Sequence, residues 1–166
     1  MKRHNLISLI SVIFLLFVSA AMTGCATPAL YTASAKGDIV TVKALLDQGT
    51  DVNEKGGGGL LNNSNALDAA SSGGHIEIVK LLLAKGANVN AASGNMDWTA
   101  LSSAAWFGET DVVKILIERG ADINKAIRGL DKGVGTKNAI ELLKEFRREK
   151  VAVQPVTPPN PQNLTN

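Results

Sequence analysis

Apolar residues recur at helical spacing between positions 76 and 83: Ile76, Val79, Leu82 and Leu83 fall on one stripe. Gly86 follows the last turn, where a residue free to take positive φ ends a helix, and Asn88 and Asn90 suit the turn beyond it. One such helix has nothing to bury its stripe against, but the chain carries the stretch three times. Gly37, Gly74 and Gly108 lie 37 and 34 residues apart, and Gly49, Gly86 and Gly120 repeat the same two intervals. Val42, Val79 and Val113, with the Leu and Ile pairs after them, mark the buried face of one helix per copy. Ahead of the first glycine series, Leu30, Leu67 and Leu101 with Ala33, Ala70 and Ala104 mark a shorter helix that lies close against it. No pair buries its face alone, so the pairs must stack.

The copies open with Pro28-Ala29-Leu30-Tyr31, Asn65-Ala66-Leu67-Asp68 and Thr99-Ala100-Leu101-Ser102, and close with Thr50-Asp51-Val52-Asn53, Ala87-Asn88-Val89-Asn90 and Ala121-Asp122-Ile123-Asn124. This pattern resembles the ankyrin repeat, whose units run about 33 residues. The resemblance covers residues 28–124. It implies an all-α solenoid of stacked helix–turn–helix units with projecting hairpin-like loops, in copies at 28–60, 61–94 and 95–124. The proline and histidine usual in the opening motif are absent. The extra length of the first copy falls at Glu54-Lys55-Gly56-Gly57-Gly58-Gly59, in the projecting loop of the resembled fold.

After Asn124 the pattern fades. Residues 125–137 hold three glycines and no clear first helix, whereas Asn138 to Phe146 reads as a second-helix equivalent with Ala139, Leu142, Leu143 and Phe146 inward. Residues 125–146 are therefore expected to form a degenerate fourth unit that caps the stack, with a repeat domain spanning 28–146. From 147 the chain reads as a solvated, disordered tail that holds four of the five prolines, at 155, 158, 159 and 161.

The start of the chain reads as an address. Lys2 and Arg3 precede an apolar run from Leu6 to Met22, and Thr23-Gly24-Cys25 closes it. This resembles a bacterial lipoprotein signal at 1–24, with lipid on Cys25, residues 25–27 as the lipidated start and attachment to the outer membrane. An uncleaved anchor is the alternative. Without Lys2 and Arg3, the chain balances 15 basic against 15 acidic residues, which removes the argument for nucleic acid as a charge-driven partner.

Chemistry is sparse. Cys25 is the one cysteine, and His75 the one histidine beyond the signal. His75 with Asp68 makes neither a triad without a nucleophile nor a closed metal site. No Gly-Lys-Ser/Thr loop follows a strand, so no phosphate cradle is expected. We expect no catalytic residues, no metal, no cofactor and no small-molecule substrate. The sharper signal is apolar. Immediately before the mid-unit glycine stand Ala35-Lys36, Ser72-Gly73 and Trp106-Phe107. In the resembled fold these positions face the concave contact surface. Met96, Trp98, Trp106 and Phe107, with Lys36 and Ser72 from the other copies, are the candidate residues for binding a protein partner. For Trp106 and Phe107 a second outcome stays open, in which they cover the degenerate fourth unit.

Overall fold

The computed structural model describes residues 28–56, 64–93, 98–133 and 136–153. Cys25 with the rest of residues 1–27, Gly57 to Gly59, Met96, and residues 154–166 lie outside the described residues. Three helix pairs follow the three copies: α1 (Ala29–Lys36) with α2 (Ile39–Asp47), α3 (Ala66–Ser72) with α4 (Ile76–Ala84), and α5 (Ala100–Phe107) with α6 (Thr110–Glu118). Between the first two pairs, β1 (Lys55–Gly56) and β2 (Ser64–Asn65) form a two-stranded antiparallel ladder. The corresponding loop of the next pair is closed by a single bridge between Ser93 and Trp98. The architecture is the expected all-α solenoid.

Local chemistry sets the helix ends. Asn65 accepts the Asp68 N–H at 2.9 Å, and Thr99 exchanges bonds with Ser102 in a capping box. The glycines at the turns sit at φ 66° to 76° (Gly37, Gly74, Gly108) and at φ 88° (Gly49, Gly86, Gly120), where any other residue would be strained. Gly56 has a different reason. A Cβ there would stand 2.8 Å from Tyr31 Cβ, so only glycine lets the loop lie on α1.

Small residues set the layers. Ala33, Ala70 and Ala104 are buried, and α3 packs against α1 on one side and α5 on the other in the most extensive contacts of the fold. Second helices touch one another more thinly. Val42, Val79 and Val113 are all fully buried between the layers, as the periodicity predicts. The stripe of α4 is rotated slightly from its expected line. Ile78 joins Val79 and Leu82 in the core, while Ile76 and Leu83 are only partly buried.

Asparagines tie the units together along the loops. The Asn53 side-chain amide donates to Gly86 O at 3.3 Å and its Oδ1 accepts the Asn88 N–H at 2.8 Å. Asn90 repeats this one unit on, to Gly120 O at 3.2 Å and from the Asp122 N–H at 2.8 Å.

The fourth unit departs from expectation. A helix does form where none was evident: α7 (Ile123–Asp131) begins directly after its cap Asp122, in place of a loop. Asp122 caps it by accepting the Lys125 N–H at 3.0 Å, and Ile123, Ala126 and Leu130 lie at helical spacing on a buried side. The glycines read as breakers mislead here, because Gly129 is tolerated inside the helix, at a cost near 1 kcal/mol relative to alanine. The last helix, α8 (Lys137–Val153), is 17 residues long and runs past 146, so the boundary at 147 does not hold. Good helix formers continue the turn pattern to Lys150. Arg147 is exposed, as expected, and donates to Asn124 Oδ1 at 3.1 Å, which ends the series of asparagine ties. Unlike the other second helices, α8 packs chiefly on α5 and α7. Ala139 and Leu143 join the core, with Leu142 and Phe146 partly buried beside them.

Candidate interaction groove

The positions before the mid-unit glycine fare differently from copy to copy. Lys36 ends α1 in solvent. Ser72 is part-buried and turns its hydroxyl back to Ala69 O at 2.9 Å, which leaves little for a partner. In the third copy, Trp106 is 38% exposed and Phe107 59% exposed. Such exposure of two large aromatics side by side needs a reason in a chain that is only 4% aromatic.

Trp98 separates from that pair. Its carbonyl accepts the Ser93 N–H at 2.6 Å, its ring stands 5.5 Å from that of Trp106 at 59°, and it packs against the core. The ring also reaches Gly133 after α7, where an added Cβ would lie 3.4 Å from Trp98 Cζ2, about ordinary contact distance. Trp98 is thus a wedge between the third and fourth units. Its ring backs Trp106, whose outer part stays open. Trp98 packs against the core, whereas Trp106 and Phe107, the pair for which two outcomes were open, border the first turns of α8 while staying 38% and 59% exposed. Met96 lies outside the described residues.

Phe107 and Trp106 form one wall of an open cavity of about 420 Å³, continued by Ala105 and Gly108. The opposite wall is Asn138, Ala139 and Leu142, from the first turns of α8. Every lining residue is uncharged. Sequence reasoning placed Leu142 and Ala139 inward and left open that Trp106 and Phe107 meet the fourth unit, but did not identify which of its residues they would meet, because α8 was expected to follow the second helices rather than lean on α5. The groove exists because of that lean.

The two chemical candidates have structural partners. The His75 ring lies over Gly37 and Gly73, at 2.7 Å and 2.6 Å from where their Cβ atoms would be, with Nε2 3.3 Å from Ala35 O. It fills the joint between the first and second units, while the Glu109 carboxylate occupies the equivalent space over Gly74. Asp68 does not meet His75 in any hydrogen bond. Ser103 donates to Asp68 Oδ1 at 2.5 Å across the second and third units. Burial pushes the Asp68 carboxyl above the usual aspartate range, against the opposing pull of Ser103, Ser64 and Ser93. Burial and the Asp68 charge in turn raise Tyr31. These groups join units. Among the described residues, no group of three or more His, Cys, Asp or Glu side chains is placed to hold a metal ion, and no helix is long and apolar enough to cross a membrane.

Comparison with known families agrees with the repeat. The model described as ankyrin repeats in three copies matches residues 12–93 and 30–127, two overlapping placements. The first placement reaches upstream of α1 into the segment read as an address. No similar curated protein is found.

Proposed function

We propose that this chain, which belongs to the ankyrin repeat family, is a non-catalytic protein-interaction module held at a membrane of the bacterial envelope. Ankyrin repeats are interaction modules, and the stack described above has that form. The partner is a protein, and the contact is the groove between α5 and α8 with Phe107 and Trp106 at its rim. One observation carries this reading: the exposed aromatic pair stands at the position where the other copies place Ala35-Lys36 and Ser72-Gly73. Aromatics give much buried area for little lost freedom, which is why a few of them dominate interfaces. The placement of Asp68 and His75 in joints between units favours a non-enzymatic role.

Tethering rests on the Lys2-Arg3 start, the apolar run and Cys25. Lipid on Cys25 would hold the repeat domain close to the bilayer of the outer membrane, on its periplasmic side, since only Ala26 and Thr27 separate the anchor from Pro28. Two experiments divide the reading. A photo-crosslinking residue at 107 in intact cells should give one dominant protein adduct that disappears in a Trp106→Ala chain. An unchanged adduct pattern would remove the groove from consideration. Separately, Cys25→Ser should move the chain from the membrane fraction to the soluble fraction. Retention in the membrane would point to the uncleaved anchor.

A further inference from the structure

We infer that the partner segment taken by this groove is cationic: an apolar anchor seated between Trp106, Phe107 and Leu142, with arginine side chains running on along α8 against Glu145 and Glu149. The inference rests on the groove being the partner site, and adds the chemistry of what fills it.

The surface of α8 sorts its charges by side. Asn138 and Leu142 line the groove. Glu145 and Glu149 follow Leu142 by three and seven residues on the same flank, about 4.5 and 10.5 Å further along the helix axis. Both are exposed. Glu141 opens the row, so carboxylates follow one another at i, i+4 and i+8, a spacing at which like charges repel and weaken a helix. The cations of α8 are placed elsewhere. Lys144 holds Glu141 at 2.8 Å, and Arg147 donates to Asn124. Lys137 is turned about 100° round the helix from Asn138. Arg148 stands one turn from Glu145, yet among the described residues neither Glu145 nor Glu149 has an ion pair. Beyond the opposite wall the charged residue after Gly108 is Glu109, whose carboxylate lies over Gly74 toward the second unit. The groove is thus an uncharged floor with an unneutralised acidic margin.

That combination selects its occupant. A cavity of about 420 Å³ takes a compact apolar group. A segment that fills it and continues along α8 meets both carboxylates within about 11 Å of Leu142. A guanidinium suits this margin better than an ammonium, because it is less strongly hydrated, pairs with a carboxylate through two N–H groups and stacks on aromatic rings. Trp106 and Phe107 supply exposed rings beside the same floor. An acidic segment, or an anionic lipid surface, would set like charges side by side, which turns wrong partners away.

The probes are two short fluorescein-labelled peptides, identical except that one carries two arginines after a phenylalanine anchor and the other two glutamates. Each is titrated with the full chain while anisotropy is read. The arginine peptide should bind saturably and lose affinity as salt is raised, whereas the glutamate peptide should not bind. A chain with Glu145→Gln and Glu149→Gln, both at exposed positions, should unfold as before and bind the arginine peptide about fivefold or more weakly. Equal binding of the two peptides, no binding of the arginine peptide, or an unchanged affinity in the glutamine variant overturns the inference. In cells, the residue-107 adduct should also fall in the glutamine variant. If that adduct depends on Trp106 but not on Glu145 and Glu149, the cationic partner falls and the groove reading stands. If it does not depend on Trp106, both fall.

Discussion

The joint between the second and third units and the joint between the third and fourth use the same third unit, yet they end differently. At the first joint, α3 and α5 lie flush through small residues, Asn90 bonds both Gly120 and Asp122, and Ser103 reaches Asp68. At the second joint a helix stands where the loop should be, the asparagine tie is made by Arg147, and α8 leans onto α5. Trp98 fills the wedge, and the groove remains. Regular stacking uses up the apolar face of a repeat, so exposed aromatic surface arises where the regularity fails.

Predictions follow from that contrast. Leu101 is fully buried on α5, the helix shared by both joints, so Leu101→Ala should be the most damaging change, at about 2–5 kcal/mol. Urea unfolding would measure it. Leu143 is equally buried but belongs to α8 alone. Leu143→Ala should cost about the same locally and spread less, because each unit is stabilised mainly by its neighbours. Hydrogen exchange should then quicken in α7 and α8 while α3 and α4 keep their protection. Loss of protection throughout would show that the two joints are not separable.

The polar ties rank below the core. Asn90→Ala removes two bonds between units and should cost on the order of 1–3 kcal/mol, whereas Asn124→Ala loses one exposed bond to Arg147 and should cost under about 1 kcal/mol. Equal costs would mean that the Arg147 tie matters as much as the regular ones. Asp68 gives a pH signature confined to the regular joint. Its folded pKa is raised, so the folded state holds the proton more tightly than the unfolded chain. That contribution is present in acid and is lost as pH rises through the raised value. The stability gap favouring Asp68→Asn should therefore be widest near neutral pH and close below the ordinary aspartate range, near 3.8. A gap that stays constant with pH would mean burial does not perturb this carboxyl.

Much of this was legible because three copies check one another. Two glycine series with identical intervals fix the turns, and the Val42, Val79 and Val113 register fixes the core between the layers. The fourth unit has no copy to be compared with. Its glycines resemble breakers, and the burial of Ile123, Ala126 and Leu130 depends on what α5 leaves uncovered, which no local pattern records. The candidate site divides the same way. Trp106 and Phe107 stand out by alignment with Lys36 and Ser72, while the wall from Asn138 and Leu142 comes from the tilt of α8. Trp98 looked equivalent to its neighbours in sequence, and only the approach of Gly133 shows it to be a wedge.

The smallest expected effect on stability is therefore the most informative about function. Phe107 is the more exposed of the aromatic pair, so Phe107→Ala removes little that is buried and should change stability by no more than about 0.5 kcal/mol. Trp98→Ala, by contrast, empties the wedge under Trp106 and should destabilise the fourth unit measurably, seen as loss of exchange protection in α7. If the groove is an interface, partner capture in cells should fall in both, but only Phe107→Ala should lose it with unfolding unchanged. A Phe107→Ala chain that unfolds earlier would instead make Phe107 part of the cap. The irregular joint would then be a way of ending the stack, with the groove as its by-product.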